Sequence, residues 1–364
     1  MYDDKLYQML YMAYLKARKN KRNHKDAYQF ELNLFENLHI LTRDIQNRSY
    51  KPTGGIAFVN FKPVIREIIA AEFKDRVVQH VAFSPVYQWW DRRLHPYSCS
   101  CRKNKGTDYA IHSLYKMMQS VSDNFTKETY FCKFDFQGYF MSIDRQILYD
   151  KVIWGLRRQF PRDSWDYKLQ QFLWQTIIFD DVVKHVRKRG SAKEWAMVPK
   201  SKSLFHQPPG VGLPIGNVTS QMGSNIMLDS FDRFVSMTLG YKRYIRYVDD
   251  WIVVVNREQK DRLIHQDLAR IEEFATSQHL TLHPKKRYIQ PIERGVEFLG
   301  AIVRPHRILA GKRTVTNFKQ SARDFMMGKA DETQLQSYLG RLKGFKGANL
   351  EKHVFEELGW DYPF

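Results

Sequence analysis

The sequence has few cysteines and no long hydrophobic run. Its three cysteines, Cys99, Cys101 and Cys132, do not predict a zinc site, because the Cys-x-Cys motif lacks a second pair or a His cluster. No apolar stretch approaches the roughly 18–20 residues of a membrane span, and the first residues lack a signal-peptide pattern. We therefore expect reduced thiols, a cytoplasmic location and no membrane partner.

Acidic side chains are also scarce relative to basic ones. The 364 residues include 58 Lys and Arg but only 39 Asp and Glu, which gives a formal net charge of +19. This excess favours a polyanionic partner such as nucleic acid. Aromatic residues, at 14%, supply rings on which bases can stack, although most of them are expected in the core. Hydrophobic residues, at 43%, exclude wholesale disorder.

The most informative motif is Tyr247-Val248-Asp249-Asp250, which lies between two strand-like runs. Two adjacent carboxylates at a hairpin tip repel each other, and each raises the pKa of the other. A divalent cation over the turn would remove this conflict, because Mg²⁺ prefers oxygen ligands from carboxylates and substrate phosphates. The motif therefore indicates nucleotidyl transfer.

A two-metal site needs a further carboxylate, and Asp135 is the best candidate. It follows the apolar run Phe131–Phe134 directly, and a lone Asp at a buried strand end is costly unless it is paired or metal-bound. Asp135 and Asp249 would hold both cations, with Asp250 supporting the site. Phe140, five residues after Asp135, could clash with a 2′-hydroxyl and so select deoxynucleotides.

Strands and helices are interleaved, which predicts an α+β fold. Arg66–Val86 has apolar residues at helical or mixed spacing, and residues 185–207 read as a basic, loop-like insertion. The predicted helices cover about residues 1–50, Thr107–Val121, Asp144–Phe160, Asp163–Lys184, Asn217–Val235, Gln259–His279 and Glu332–Lys343. The predicted strands are Ile56–Phe61, Phe131–Phe136, Tyr241–Arg246, Trp251–Val255, His283–Gln290 and Val296–Val303.

The order of motifs resembles that of reverse transcriptases over roughly residues 50–350. The matching segments, from fingers to thumb, are Lys62-Pro63 with Arg66, Phe134–Phe140, Gly212–Gln221, Tyr247–Asp250, His283–Lys286, Glu297–Gly300 and Ser337–Gly340. No single motif is specific, but their order is. The resemblance implies a right-hand polymerase fold with fingers, a palm built on an antiparallel sheet, and a short helical thumb.

The resemblance also implies roles for individual residues. Asp135, Asp249 and Asp250 would be catalytic and would bind two Mg²⁺ ions, which Mn²⁺ could replace, and Phe136 is included among the metal-binding positions. The deoxynucleotide-binding positions would be Lys62, Arg66, Phe140, Ile215, Gln221 and Lys285. The implied domains are fingers with an N-terminal helical extension (1–130), a palm (131–310) with a fingers-like insertion at about 150–210, and a thumb (311–364).

Within that family, the chain resembles the enzymes of diversity-generating retroelements of bacteria, archaea or phages. Most reverse transcriptases carry Gln where this chain has Ile215, and the segments Leu213–Gln221 and Glu72–His80 look like those of the retroelement enzymes. The resemblance implies error-prone copying of a template-repeat RNA into cDNA, with errors at adenines. It also implies an accessory variability determinant protein, an oligomeric basic helical bundle.

Ile215 has a physical interpretation as well. A Gln beside the templating pair can hydrogen-bond and test geometry, whereas Ile offers only dispersion contacts, so we expect it to lower fidelity. The alternatives are a retron-type or group II intron reverse transcriptase, a DNA-templated polymerase, and an RNA-binding scaffold without catalysis. Only 114 residues follow Asp250 (364 − 250), which leaves little room for an intron enzyme's extra domains.

Overall fold

The computed structural model describes residues 2–19, 21, 23–61, 64–342, 345 and 350–361. The helices are α1 Tyr2–Arg18, α2 Lys25–Leu32, α3 Leu34–Gln46, α4 Phe73–Asp91, α5 Thr107–Val121, α6 Tyr139–Ser142, α7 Arg145–Gln159, α8 Trp165–Ile178, α9 Ala192–Ala196, α10 Val218–Arg233, α11 Arg257–Arg262, α12 Leu268–Ser277, α13 Lys312–Met326, α14 Glu332–Leu342 and α15 Leu350–Glu357. The strands are β1 Gly55–Asn60, β2 Arg66–Ala71, β3 Thr129–Phe134, β4 Val186–Lys188, β5 Tyr244–Tyr247, β6 Asp250–Asn256, β7 Tyr288–Pro291, β8 Val296–Phe298, β9 Ala301–Arg304 and β10 Arg307–Ala310.

The chain divides into two compact units that alternate along the sequence. The first unit contains residues 1–95, 136–231 and 272–282. The second contains residues 96–135, 232–271 and 283–364. Each unit is therefore assembled from three separate stretches of chain.

The first unit combines a small sheet with packed helices. Its strand order is β2-β1-β4, with β1 antiparallel to β2 and parallel to β4. Gly55 is required at the start of β1, since a Cβ at this position would lie 2.1 Å from the Ala70 carbonyl oxygen. The helical core centres on fully buried residues such as Trp174 of α8, whose indole nitrogen donates to the Ala82 carbonyl at 3.2 Å.

The second unit holds a four-stranded antiparallel sheet and a three-stranded one. The four-stranded sheet has the order β5-β6-β3-β7, and its inner strands pair from Thr129↔Asn256 to Phe134↔Trp251. The inner strands β3 and β6 are mostly buried, which explains why their sequences are mostly apolar. The second sheet has the order β10-β9-β8. Phe131 and Phe298, one from each sheet, belong to the same buried core.

The predicted elements are largely confirmed, with four corrections. Arg66–Val86 is not one mixed segment but β2 followed by α4. Glu72 separates the two elements, because its backbone (φ −57°, ψ 155°) is not helical and it is the N-cap residue of α4. Residues 185–207 are not only loop, since β4 joins β1 and a capping box at Ser191 starts α9. Of the predicted strand His283–Gln290, only its end belongs to a strand, β7. Val296–Val303 is not one strand but β8 and β9, because Leu299 and Gly300 turn with positive φ.

Helices α13 and α15 were not predicted from the sequence. The end of the predicted thumb helix, Lys343, lies outside the described residues. The predicted domain boundaries at 130/131 and 310/311 stay predictions. In the described part of the chain, no helix has the combination of length and apolar character that a membrane crossing needs.

Candidate active site

The Tyr-Val-Asp-Asp motif forms the turn of a β-hairpin in the second unit. The register pairs Tyr247 with Asp250, so Val248 and Asp249 are the two turn residues. Two-residue hairpin loops favour positive φ, and Val248 has φ +59°. A β-branched residue is strained in this region, so other contacts must hold the turn in place.

A fully buried ion pair holds the turn from below. Arg246 on β5 and Asp232 at the end of α10 both have no exposed side-chain surface. The guanidinium donates to both carboxylate oxygens, at 2.6 and 2.7 Å. Another of its nitrogens donates to the Val248 carbonyl at 2.7 Å, while the Val248 amide donates to the Ser100 hydroxyl at 3.2 Å.

Further contacts complete this buried network. The Tyr244 hydroxyl donates to Asp232 at 2.6 Å, and Arg246 donates to the Ser98 hydroxyl at 2.9 Å. Burial of a charged pair stabilises a protein only when the remaining donors and acceptors are also satisfied. Here the satisfied network fixes both sides of the strained Val248 peptide unit.

The three predicted carboxylates converge in the same unit. Asp135 follows β3 directly, and the last residue of β3, Phe134, pairs with Trp251, which follows Asp250. Burial, followed by repulsion from Asp135 and Asp250, raises the pKa of Asp249 to about 7. Burial also raises the pKa of Asp250 to about 6, although Lys133 opposes the shift. The ionised forms of Asp249 and Asp250 are therefore destabilised by burial and by their neighbouring carboxylates.

Two lysines contact these carboxylates. Lys286 donates to Asp135, and Lys133 forms an ion pair with Asp250 at 2.9 Å. Lys133 also donates to the Glu297 carbonyl at 2.7 Å, at the start of the segment Glu297–Gly300, one of those that resemble reverse transcriptase motifs. Since Lys133 precedes Asp135 by two residues on a strand, both side chains project from the same face.

The donor set fits divalent cations. Carboxylate oxygens are the ligands that Mg²⁺ prefers, and raised pKa values show that a neighbouring positive charge would stabilise the ionised forms. Within the described residues, the buried Oδ1 of Asp250 has no hydrogen-bond partner. Within this part of the chain, no group of three or more His, Cys, Asp or Glu side chains is placed so that it could hold a metal ion as it stands. The lysines hold Asp135 and Asp250 instead.

The other predicted positions that the structure describes lie in the first unit, except Lys285. Phe140 and Ile215 pack against one apolar cluster built around Ala57, Ile69 and Leu204. Arg66 starts β2 and is exposed, and Gln221 is exposed on α10. Phe136 is buried and packs on Phe231, with ring centroids 5.0 Å apart. Lys62 lies outside the described residues.

Lys285 is exposed, and its amide donates to His283 at 3.2 Å. Its neighbour Lys286, which the sequence analysis placed in the matching motif without a site role, is the lysine that contacts Asp135. Lys133, Arg246 and Asp232 were also missed. A signal existed for the first two, because each is a cation inside an otherwise apolar strand, where an unpaired charge would be costly.

A family model described as reverse transcriptase (RNA-dependent DNA polymerase) matches residues 64–303, which include all three carboxylates. The match covers more than half of the chain, so the chain belongs to the reverse transcriptase family. Membership confirms the predicted α+β, right-hand polymerase fold. Members of this family are RNA-dependent DNA polymerases and generally use divalent metal ions.

Two solved telomerase structures are similar to the chain at low sequence identity. Telomerase from Candida albicans, in complex with a TWJ fragment of telomeric RNA, is 12% identical with a TM-score of 0.47, over 87% of this chain and 55% of that chain. Apo telomerase from Candida tropicalis is 11% identical with a TM-score of 0.48, over 85% and 58%. This chain thus spans little more than half the length of either. No curated protein matches the sequence.

Proposed function

We propose that this reverse transcriptase copies a template-repeat RNA into cDNA with errors at adenines, as the enzymes of diversity-generating retroelements do. The observation that carries the proposal is the apolar environment of Ile215. This side chain belongs to the same apolar cluster as Phe140, the residue proposed to select the sugar. The enzyme therefore presents an aliphatic group at a position where most of the family carries an amide.

The chemistry rests on residues of the second unit. Two Mg²⁺ ions, or Mn²⁺ in their place, would activate the primer 3′-hydroxyl and neutralise the leaving pyrophosphate. Asp135 and Asp249 would hold them, and Asp250 would support the site. Lys286 contacts Asp135 and Lys133 contacts Asp250, and these contacts would orient the two carboxylates before the ions bind. Lys285 is proposed to reach the pyrophosphate.

In the first unit, Arg66 is proposed to bind the triphosphate as a bidentate fork, with Lys62 as a point charge. Phe140 would exclude a 2′-hydroxyl, and Gln221 would contact the nascent pair. Ile215 offers only dispersion contacts to this pair, so a mismatch loses little relative to a correct pair. Low fidelity then follows from a missing hydrogen bond, since a site that pairs polar groups discriminates more strongly.

The decisive experiment is primer extension on an RNA template, with misincorporation counted opposite each base. Ile215→Gln should lower misincorporation opposite adenine about fivefold, since one well-placed hydrogen bond is worth about 1 kcal/mol. Ile215→Leu is the matched control, because it keeps an aliphatic group of the same volume. An unchanged error spectrum in Ile215→Gln would refute the adenine proposal while leaving the polymerase assignment intact.

The accessory variability determinant protein is proposed as a partner. A basic oligomer would be repelled by a net charge of +19, so its contact must be locally acidic, apolar or bridged by RNA. Helix α15 offers Glu351, Glu356 and Glu357, although Glu357 is paired with Lys319. Glu351→Lys with Glu356→Lys should weaken co-purification with that protein, and unchanged co-purification would place the contact elsewhere.

A further inference from the structure

The first unit carries an exposed cluster of tryptophans and arginines that the reaction does not use. It is formed by the end of α4 with the two residues that follow it, and by the C-terminal part of α7. We call it the Trp-Arg patch: Trp89, Arg92, Arg93, Trp154, Arg157 and Arg158. Trp154 is 40% exposed, although large aromatic residues usually bury most of their surface.

The rings and cations of the patch are arranged in alternation. The Arg158 guanidinium lies 3.7 Å from the centroid of the Trp154 ring. Arg93 lies 4.7 Å from the Trp89 centroid and 5.7 Å from that of Trp154. The rings of Trp89 and Trp154 are 5.9 Å apart and nearly perpendicular, at 72°. Cation–π contacts thus hold the arginines against an aromatic platform.

The platform is built into the packing of the two helices. Trp90 is buried, and its ring lies 5.8 Å from that of Trp154. Gly155 makes room for it, since a Cβ at this position would lie 2.7 Å from the Trp90 indole nitrogen. The rigid support under Trp154 means that a ligand stacking on it loses little side-chain entropy.

Three of the four arginines of the patch are not neutralised. Within the described part of the chain, Arg92, Arg157 and Arg158 are exposed and have no carboxylate within ion-pair distance. The stretches Gln88–Arg93 and Lys151–Arg158 contain one acidic residue, Asp91, against four arginines. A contrasting arrangement occurs at Trp165, where the stacked cation, Lys5, is paired with Asp166 at 2.8 Å. That second cation–π pair is locally neutral.

We propose that the Trp-Arg patch binds single-stranded RNA at a site separate from the carboxylates. Bases would stack on Trp154 and Trp89, and Arg92, Arg157 and Arg158 would contact the phosphates. Exposed aromatic rings interleaved with unneutralised cations are the chemistry that recognises single strands without strong sequence preference. A duplex, whose bases are already stacked, offers the patch only its phosphates.

The test uses the full chain and a fluorescein-labelled 20-mer of uridine, with the polymerase site first saturated by an unlabelled blunt primer–template duplex. Trp154→Ala should weaken binding of the 20-mer at least about fivefold, and Trp154→Phe should restore most of it. Replacement of Arg157 and Arg158 by Gln should lower the salt dependence of binding by about 1.4 in slope, or 0.7 per phosphate contact. Lys5→Gln with Trp165→Ala is the matched control and should change neither quantity.

A second measurement guards against unfolding of the alanine variant. RNA carrying 4-thiouridine should cross-link to the peptide that contains Trp154, in the folded wild-type protein. Unchanged affinity and slope in the variants would overturn the proposal, as would cross-links confined to other segments. An equal Trp154 dependence for duplex RNA would also overturn it. Extension of a short primer–template should remain normal in Trp154→Ala, so the result is independent of the polymerase assignment.

Discussion

Two groups of charged side chains in the second unit are built in opposite ways. Arg246 and Asp232 are fully buried, and their donors and acceptors are matched by Tyr244, Ser98 and Val248. The three carboxylates proposed as catalytic are less buried, repel one another, and leave a buried oxygen of Asp250 without a hydrogen-bond partner among the described residues. The contacts of the first group fix one geometry, whereas the second group retains an oxygen that can still accept a further bond.

The comparison shows how one hairpin serves both purposes. On one side of the turn, several hydrogen bonds fix the positions of Arg246 and Val248. On the other side, burial disfavours the ionised forms of Asp249 and Asp250, which a bound cation would stabilise. Strain at a functional turn persists only because its surroundings hold it there.

The largest effect should come from Asp249→Asn, which removes a proposed metal ligand. Extension should fall by about a thousandfold or more, because a metal ion contributes several kcal/mol to the transition state. Binding of an RNA template, measured by anisotropy, should stay within about twofold. Asp181→Asn, in another adjacent acidic pair, is the control. Retained extension in Asp249→Asn would show that the carboxylates do not form the site.

Arg246→Met should remove the buried ion pair and leave the Asp232 carboxylate without its cation. An uncompensated buried carboxylate costs about 3–5 kcal/mol of unfolding free energy, which urea titration can measure. The exposed pair of Lys319 and Glu357 is the contrast, and Lys319→Met should cost less than about 1 kcal/mol.

The double variant Arg246→Met with Asp232→Leu separates stability from positioning. It should recover much of the lost stability, since apolar residues can replace a buried ion pair. Extension should remain impaired, because the Val248 carbonyl has lost its donor. Full activity in the double variant would mean that the pair contributes only to stability.

The raised pKa of Asp249 predicts that the affinity for a metal ion depends on pH. Because the pKa of Asp249 is about 7, protons compete with the cation, and the Mg²⁺ concentration for half-maximal extension should rise about tenfold per pH unit below 7. Folded-state pKa values that are raised favour the protonated protein. Metal-free protein should therefore be most stable below pH 4 with respect to these groups, and should lose that contribution as pH rises through 6 and 7.

Thermal melts in a chelator can measure this loss, and added Mg²⁺ should reverse it above pH 7. Asp249→Asn should flatten the profile, because the neutral amide does not titrate. A metal-free profile that is equally steep in this variant would assign the titration to other groups.

Val248→Gly should have the smallest effect. Glycine adopts φ +59° without strain, worth about 1–2 kcal/mol, but it loses side-chain contacts and adds backbone entropy to the unfolded chain. Stability by urea titration should therefore stay within about 1 kcal/mol of wild type. Val253→Gly, in the centre of β6, is the contrast and should cost more than about 2 kcal/mol. Equal losses at both positions would show that the turn is not strained.

The sequence predicted the elements whose pattern is local. The helix over Thr107–Val121 follows from its apolar periodicity, and the hairpin at Asp249 follows from the position of its turn. Asp135 lies near Asp249 and Asp250 because β3 and β6 are adjacent strands. The strand β4 was missed because it is short and pairs with β1, more than a hundred residues earlier.

The positioning residues were missed for a different reason. Arg246 and Asp232 are each unfavourable where they stand, and only their contact, across a helix and a strand, makes them stabilising. Lys286 was passed over for Lys285, because the spacing of adjacent lysines does not say which side chain turns toward Asp135. Such choices are decided by tertiary contacts rather than by propensity.

The alternation of the two units also has a consequence for synthesis. On the ribosome, β3 emerges long before its neighbours, since Phe134 pairs with Trp251, 117 residues later (251 − 134), and β7 follows later still. Pairings this distant in sequence form slowly, and an unpaired strand edge invites contact with other chains. Lys133 places a charge near the end of that unpaired strand, so the residue that later pairs with Asp250 can first oppose aggregation of the nascent chain.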